Sequence, residues 1–150
     1  MKKKTKITMI ILFSIVLIAF TGYLAIGNPV IFINNNKLAN SIKSIDAKVI
    51  KLNEVVPFDW DVVYTFNPYA SKESIEEIVG FKSADIKANN INEGMVHLIF
   101  VKDEKVVASI LGYSKNVGYR LDFPSKVTYT QNAQFNVTTS EGIVILTYIK

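Results

Sequence analysis

From Ile7 to Ile26 the chain reads ITMIILFSIVLIAFTGYLAI, without one charged side chain, directly after MKKKTK. Twenty helical residues at about 1.5 Å each span roughly 30 Å, the thickness of a bilayer's hydrocarbon core. Lys2, Lys3, Lys4 and Lys6 precede this run and no basic residue comes soon after it, so the positive-inside rule places the N-terminus in the cytoplasm and the rest of the chain outside. The same pattern also fits a signal peptide, with an apolar run from Met9 to Phe20 and the small residues Ala25 and Gly27 before a cut at Asn28. Both readings export the C-terminal part of the chain. The length of the run, and its continuation past Gly27-Asn28-Pro29 into Val30-Ile31-Phe32-Ile33, favours an uncleaved single-pass anchor over secretion after cleavage. This divides the chain into a membrane anchor or signal segment, 1–33, and an extracytoplasmic domain, 34–150.

The 150 residues leave enough chain beyond the apolar run for one domain with a core of its own. The formal charge of +4 suggests nucleic acid until it is localised. Four of the 17 basic residues lie in the first six positions, and no acid precedes residue 34, so the body of the chain carries equal numbers of the two signs. Without a clustered basic face to neutralise phosphates, nucleic acid is excluded as a partner. There is no cysteine, which removes disulfides, thiol nucleophiles and Cys-bound zinc, and suits a bacterial surface protein better than a small secreted eukaryotic one.

Asn34-Asn35-Asn36 is expected to break the chain and to cap a helix. Leu38, Ile42, Ile45, Val49 and Leu52 then recur at helical spacing and predict that helix from Lys37 to Leu52. A strand is expected from Trp60 to Phe66, with Trp60, Val62, Tyr64 and Phe66 on one face. Beyond the Pro68-Tyr69 turn, Ser71 caps a short helix, Lys72 to Val79, that stops at Gly80 and offers Ile75, Ile78 and Val79 to the core. Asn89-Asn90 signals a turn. Met95–Val101 and Val106–Tyr113 then form a hairpin around a four-residue loop, Tyr119–Phe123 adds a short strand, and Phe135–Thr138 and Ile143–Ile149 make a last hairpin. The expected fold is therefore α+β: an N-terminal transmembrane helix, then one small antiparallel sheet of five or six strands with two helices packed on one side.

Chemistry is sparse. The single histidine, His97, stands mid-strand with Met95, Ile99 and Val101 on its face and no metal-ligating or triad partner beside it, so a structural role is expected. Asp59 and Asp61 flank Trp60, but neither a calcium loop nor a pocket that would separate two carboxylate pKa values accompanies them. Arg120, the only arginine, has a fork of donors that suits an anionic ligand, and equally suits pairing with a carboxylate such as Asp122 or a place in solvent. No phosphate loop, dinucleotide fingerprint, nucleophile elbow or zinc-protease motif is present, and no cofactor or metal is expected. Trp60, Tyr64, Phe66 and Tyr69 are residues of the kind that dominate recognition surfaces, although aromatics on alternate strand positions more often face a core.

The run Phe58, Trp60, Asp61, Val63, Tyr64, Pro68 and Tyr69, continued by a Lys-Glu helix that closes at Gly80, resembles a group of small exported or membrane-anchored proteins of Gram-positive bacteria. The similarity is strongest over residues 52–80 and looser from Phe100 to Tyr113; Asn67 stands where glycine is expected, and it too tolerates turn conformations. The resemblance implies an exported location and transfers no catalytic residue. The function expected from the whole is a non-enzymatic, membrane-anchored binding or accessory module of the cell envelope, one version being immunity to a toxin. Asp59, Trp60, Asp61, Tyr64 and Tyr69 are its candidate binding residues, and an envelope protein or toxin is its partner. The competing expectation is a small hydrolase or lyase that brings Asp59, Asp61, His97 and Arg120 into one pocket.

Overall fold

The computed structural model describes residues 3–67, 69–88 and 92–149. Pro68 of the expected Pro-Tyr turn and the Asn89-Asn90 turn signal lie outside the described residues. Helix α1, Lys3–Ile26, contains the apolar run, and its side chains from Thr5 to Thr21 are exposed along the whole length. The stretch Thr5–Gly22 is long and apolar enough to cross a membrane, as an anchor or a signal sequence would. Among the described residues, nothing buries this stretch.

Helix α2, Pro29–Lys43, begins two residues after α1. Gly27 takes the left-handed conformation at φ +76°, the side chain of Asn28 accepts from the Val30 amide, and Pro29 stands at the first helical position, where its missing N–H is no loss. The expected helix over Lys37–Leu52 is thus displaced towards the N-terminus, and the expected 33/34 boundary falls inside α2. Asn34 and Asn35 do not break the helix, because their amides are engaged elsewhere. Asn34 Nδ2 donates to the Val107 carbonyl at 2.9 Å, while Asn35 donates to the Ser109 carbonyl at 2.8 Å and accepts from the Ser109 amide at 3.0 Å.

The remaining elements are β1 (Val49–Lys51), α3 (Leu52–Val55), β2 (Val62–Thr65), α4 (Lys72–Val79), β3 (Met95–Lys102), β4 (Lys105–Tyr113), α5 (Ser114–Val117), β5 (Tyr119–Asp122), β6 (Lys126–Thr128), a 3-10 turn (Tyr129–Gln131), β7 (Gln134–Ser140) and β8 (Ile143–Tyr148). They form two four-stranded sheets, ordered β1-β7-β8-β5 and β4-β3-β2-β6. This overturns the expectation of one sheet of five or six strands with two helices on one side: among the described residues there are eight strands in two sheets, and five helices. The missed strands, β1 and β6, have three residues each, too few for alternation to register, and β1 lies where helical spacing continues by coincidence. Pairing is antiparallel except between β5 and β8, which run parallel.

Each face of the β4-β3-β2-β6 sheet carries a core. Val96, Leu98 and Phe100 face the main cluster with Leu38 and Ile42 of α2, Trp60, Val63, Tyr119, Phe135 and Leu146. Ile99 and Val101 face a second cluster with Ile31 of α2, Ile75 of α4, Ile86 and Val106. A strand buried on both faces must be apolar almost throughout, which is why β3 reads MVHLIFV. The helices consequently lie on opposite sides: α4 covers the second cluster, and α2 lies along the β4 edge and reaches both.

Candidate functional site

Around Trp60 the structure departs from the alternation expected there. The strand starts only at Val62, so the irregular segment before it turns Trp60 into the main cluster, while Val62, Tyr64 and Phe66 pack on the opposite side. The expected aromatic wall is therefore split. Trp60 is buried, its ring edge-on to Phe100 at 5.8 Å and to Tyr129 at 5.5 Å. Tyr64 is half-buried and stacks on Phe66 at 6.0 Å.

Asp59 and Asp61 are both exposed. Asp61 accepts from Lys102 Nζ at 2.6 Å and from the Asp103 amide at 2.9 Å, which holds the first residue of the β3–β4 turn. The Lys102 bond, helped by the Asp103 amide, lowers the Asp61 pKa below its ordinary value. That turn has two residues, Asp103 and Glu104, both at positive φ (47° and 57°), rather than the four expected. Arg120 donates through Nε and Nη2 to Asp122 Oδ2 at 3.0 and 2.7 Å, one of the readings that the sequence left open for it.

His97 is only 2 % exposed, on the face of β3 shared with Ile99 and Val101. Neither ring nitrogen has a hydrogen-bond partner among the described residues. Burial pushes its pKa down to about 4, opposed only in part by the nearby Lys87 backbone carbonyl. The Asp61 amide bonds the Val101 carbonyl, four residues along β3 from His97, which at about 3.3 Å per residue is roughly 13 Å away. Arg120 belongs to the other sheet. Asp59, Asp61, His97 and Arg120 therefore do not meet in one pocket.

What the fold does assemble lies at the far end of β2. A groove of about 790 Å³ opens between the chain leaving β2 (Thr65, Phe66, Asn67, Tyr69, Ala70), the outer side of α4 (Ser74, Ile78), Glu93, and the β5–β6 connection (Phe123, Ser125). Backbone bonds tie these pieces together: the Thr65 amide donates to the Ser125 carbonyl at 3.0 Å, and the Phe66 amide to the His97 carbonyl at 3.3 Å. Ser71 caps α4 by accepting from the Ser74 amide, and Gly80 ends it at φ +90°, as the sequence implies. Ile75 is buried in the second cluster and Val79 packs against it, both as expected, but Ile78, also expected in the core, falls on the flank of the helix and is 54 % exposed. Tyr69 is 78 % exposed, and its hydroxyl donates to Glu93 Oε1 at 3.3 Å. Of the candidate binding residues only Tyr69 lines the groove, and its companions Ser74, Ile78, Phe123 and Ser125 come from elements that sequence reasoning did not connect to it. No local sequence signal marks this grouping, because the exposure of Tyr69 and Ile78 and the approach of Phe123 and Ser125 arise only from the tertiary fold.

Comparison with known proteins finds no family model, no curated protein and no solved structure that matches this chain.

Proposed function

We propose that this protein is a membrane-tethered binding module of the cell envelope, without catalytic activity of its own, that receives a segment of an envelope protein or toxin in the groove between α4 and the β5–β6 connection. The observation that carries this reading is the composition of the groove. Tyr69 and Ile78 stand largely in solvent beside Phe66 and Phe123, ringed by Thr65, Asn67, Ser74 and Ser125, with Glu93 the only ionisable acid or base among them apart from the tyrosine. An aromatic and aliphatic floor with neutral hydrogen-bonding groups at the rim is the composition of a recognition surface. A single carboxylate favours a neutral or cationic partner segment over an anionic one. The lysine-flanked apolar helix supports an extracytoplasmic location for the groove. Protection from a toxin is one form this function takes.

Photo-crosslinking tests the reading in the native membrane. Benzoylphenylalanine is placed at Tyr69 or Ile78 in the full chain, and at Ser140 as a reference remote from the groove. The same discrete adduct from both groove positions, absent from the Ser140 variant and lost when Phe123→Ser is added, is expected. No adduct from either groove position, or the same adducts from all three, would reject the groove as the binding site.

A further inference from the structure

The exposed surface of α2 changes along its length rather than around its circumference. In its first turn the exposed side chains are apolar: besides Pro29 these are Val30, Phe32 and Ile33, at 57, 49 and 50 % exposure, while Ile31 between them is buried in the second cluster. Further along, the exposed positions are Asn36, Lys37, Asn40 and Lys43, all polar. At 3.6 residues per turn, Phe32, Ile33 and Val30 fan over about 160° of the outward side. They form a collar, not the lengthwise stripe by which a helix packs on another helix. A boundary between apolar and aqueous surroundings that cuts across the helix axis accounts for such a collar.

Chain connectivity supplies that boundary. Only Gly27 and Asn28 separate α1 from α2, so Val30 lies at most about 14 Å from Ile26 even along a fully extended backbone. The link is fixed as well as short, because Asn28 Nδ2 donates to Asp85 Oδ2 at 3.1 Å while Oδ1 accepts from the Val30 amide at 3.1 Å. With α1 in a bilayer, the collar falls in the interfacial layer, where amphipathic segments bury apolar side chains about 5–10 Å deep. Lys82 and Lys105 line one hollow beside Asn28, and Lys87 lines another. Asp85 and Glu104 are also there, leaving a cationic excess around the link. Lysines at such a height lay their methylene stems along apolar surface and extend their ammonium groups to lipid phosphates.

We infer that the first turn of α2 is seated in the bilayer interface, with Val30, Phe32 and Ile33 among the acyl-chain ends and Lys82, Lys87 and Lys105 against headgroup phosphates. The domain then stands directly on the membrane instead of swinging on a tether. The inference rests on the proposed reading of α1 as an uncleaved span, and the test separates the two.

The chain contains no cysteine, so single-cysteine variants label at one place only. Leu12→Cys, Phe32→Cys, Ile33→Cys and Ser140→Cys in the full chain are labelled with an environment-sensitive nitrobenzoxadiazole dye. Each is reconstituted in phosphatidylcholine–phosphatidylglycerol vesicles with and without brominated lipids. Ser140 reports the far end: it pairs with Ile143 in the turn beside Val144, whose amide donates to the Gly118 carbonyl, and Gly118 lies against the Lys43 side chain at the end of α2. That end is about 20 Å along the helix axis from Pro29. Emission from the label at Leu12, Phe32 and Ile33 quenched severalfold by brominated lipid, with Ser140 unaffected, is expected. Quenching at Leu12 with water-like emission at Phe32 and Ile33 overturns the seating and leaves the span intact. Blue-shifted but unquenched emission at Phe32 and Ile33 also overturns it, since protein and not lipid would then cover the collar. An unquenched Leu12 label overturns the span, and the seating with it.

Discussion

The ring of Phe66 lies 5.3 Å from that of His97, the two planes 50° apart, so one wall of the groove rests on a buried imidazole. The unfolded chain takes up a proton at this histidine near pH 6.5, the folded chain only near 4. Between these values acid favours the unfolded state. The stability that the neutral ring permits is complete above about pH 6.5 and falls as the pH drops towards 4, by about 2 kcal/mol at pH 5. His97→Leu removes the proton-binding site and puts an apolar side chain of similar size in its place. Urea unfolding of the full chain in detergent micelles at pH 7 and pH 5 is expected to show a markedly smaller loss for His97→Leu than for the natural chain. Equal losses would refute the role given to His97.

Asn35 closes the open side of β4 as a neighbouring strand would, one amide pairing both backbone groups of Ser109. In Asn35→Ala these groups on an edge strand lose their partner, for which about 1–3 kcal/mol of destabilisation is expected. An unpaired edge also invites pairing with a second chain. Thermal unfolding and light scattering check both effects; a variant of unchanged midpoint that remains monomeric would show that water serves the β4 edge equally well.

Glu104 occupies a left-handed position, φ 57°, in the second place of a two-residue hairpin turn, where glycine is the residue of least strain. The β7–β8 hairpin has the preferred arrangement, with Gly142 at φ 78° after Glu141. Glu104→Gly is expected to stabilise the protein by about 0.5–1 kcal/mol, the relief of strain exceeding the added freedom of the unfolded chain. A lower unfolding midpoint would contradict this.

Features fixed by a few neighbouring residues were legible in the sequence. The apolar run of α1, the Ser71 cap and Gly80 stop of α4, and the hairpins β3–β4 and β7–β8 each depend on local spacing and appear where expected. The register of α2 was missed because helical spacing ran on through Ile45, Val49 and Leu52, while the capping signal at Asn28-Pro29 was absorbed into the apolar run. Asn34 and Asn35 look like a break in the sequence because their partners, Val107 and Ser109, lie some seventy residues away. Two sheets could not be told from one, since the strands that complete them, β1 and β6, are three residues long and pair at long range. The groove stayed hidden for the same reason: Phe123 and Ser125 join Tyr69 and Ile78 only once β6 pairs with β2.

The central claim is that the groove-bearing domain is held on the outer surface of the membrane. Its most direct test uses the Ser140→Cys variant in intact cells, treated with a membrane-impermeant maleimide before and after lysis, with the label then traced through membrane and soluble fractions. The account predicts full labelling of intact cells and recovery of the labelled full-length chain in the membrane fraction. Labelling only after lysis would place the domain in the cytoplasm and contradict the account, and a labelled chain shortened at the N-terminus and released into the medium would contradict the anchor.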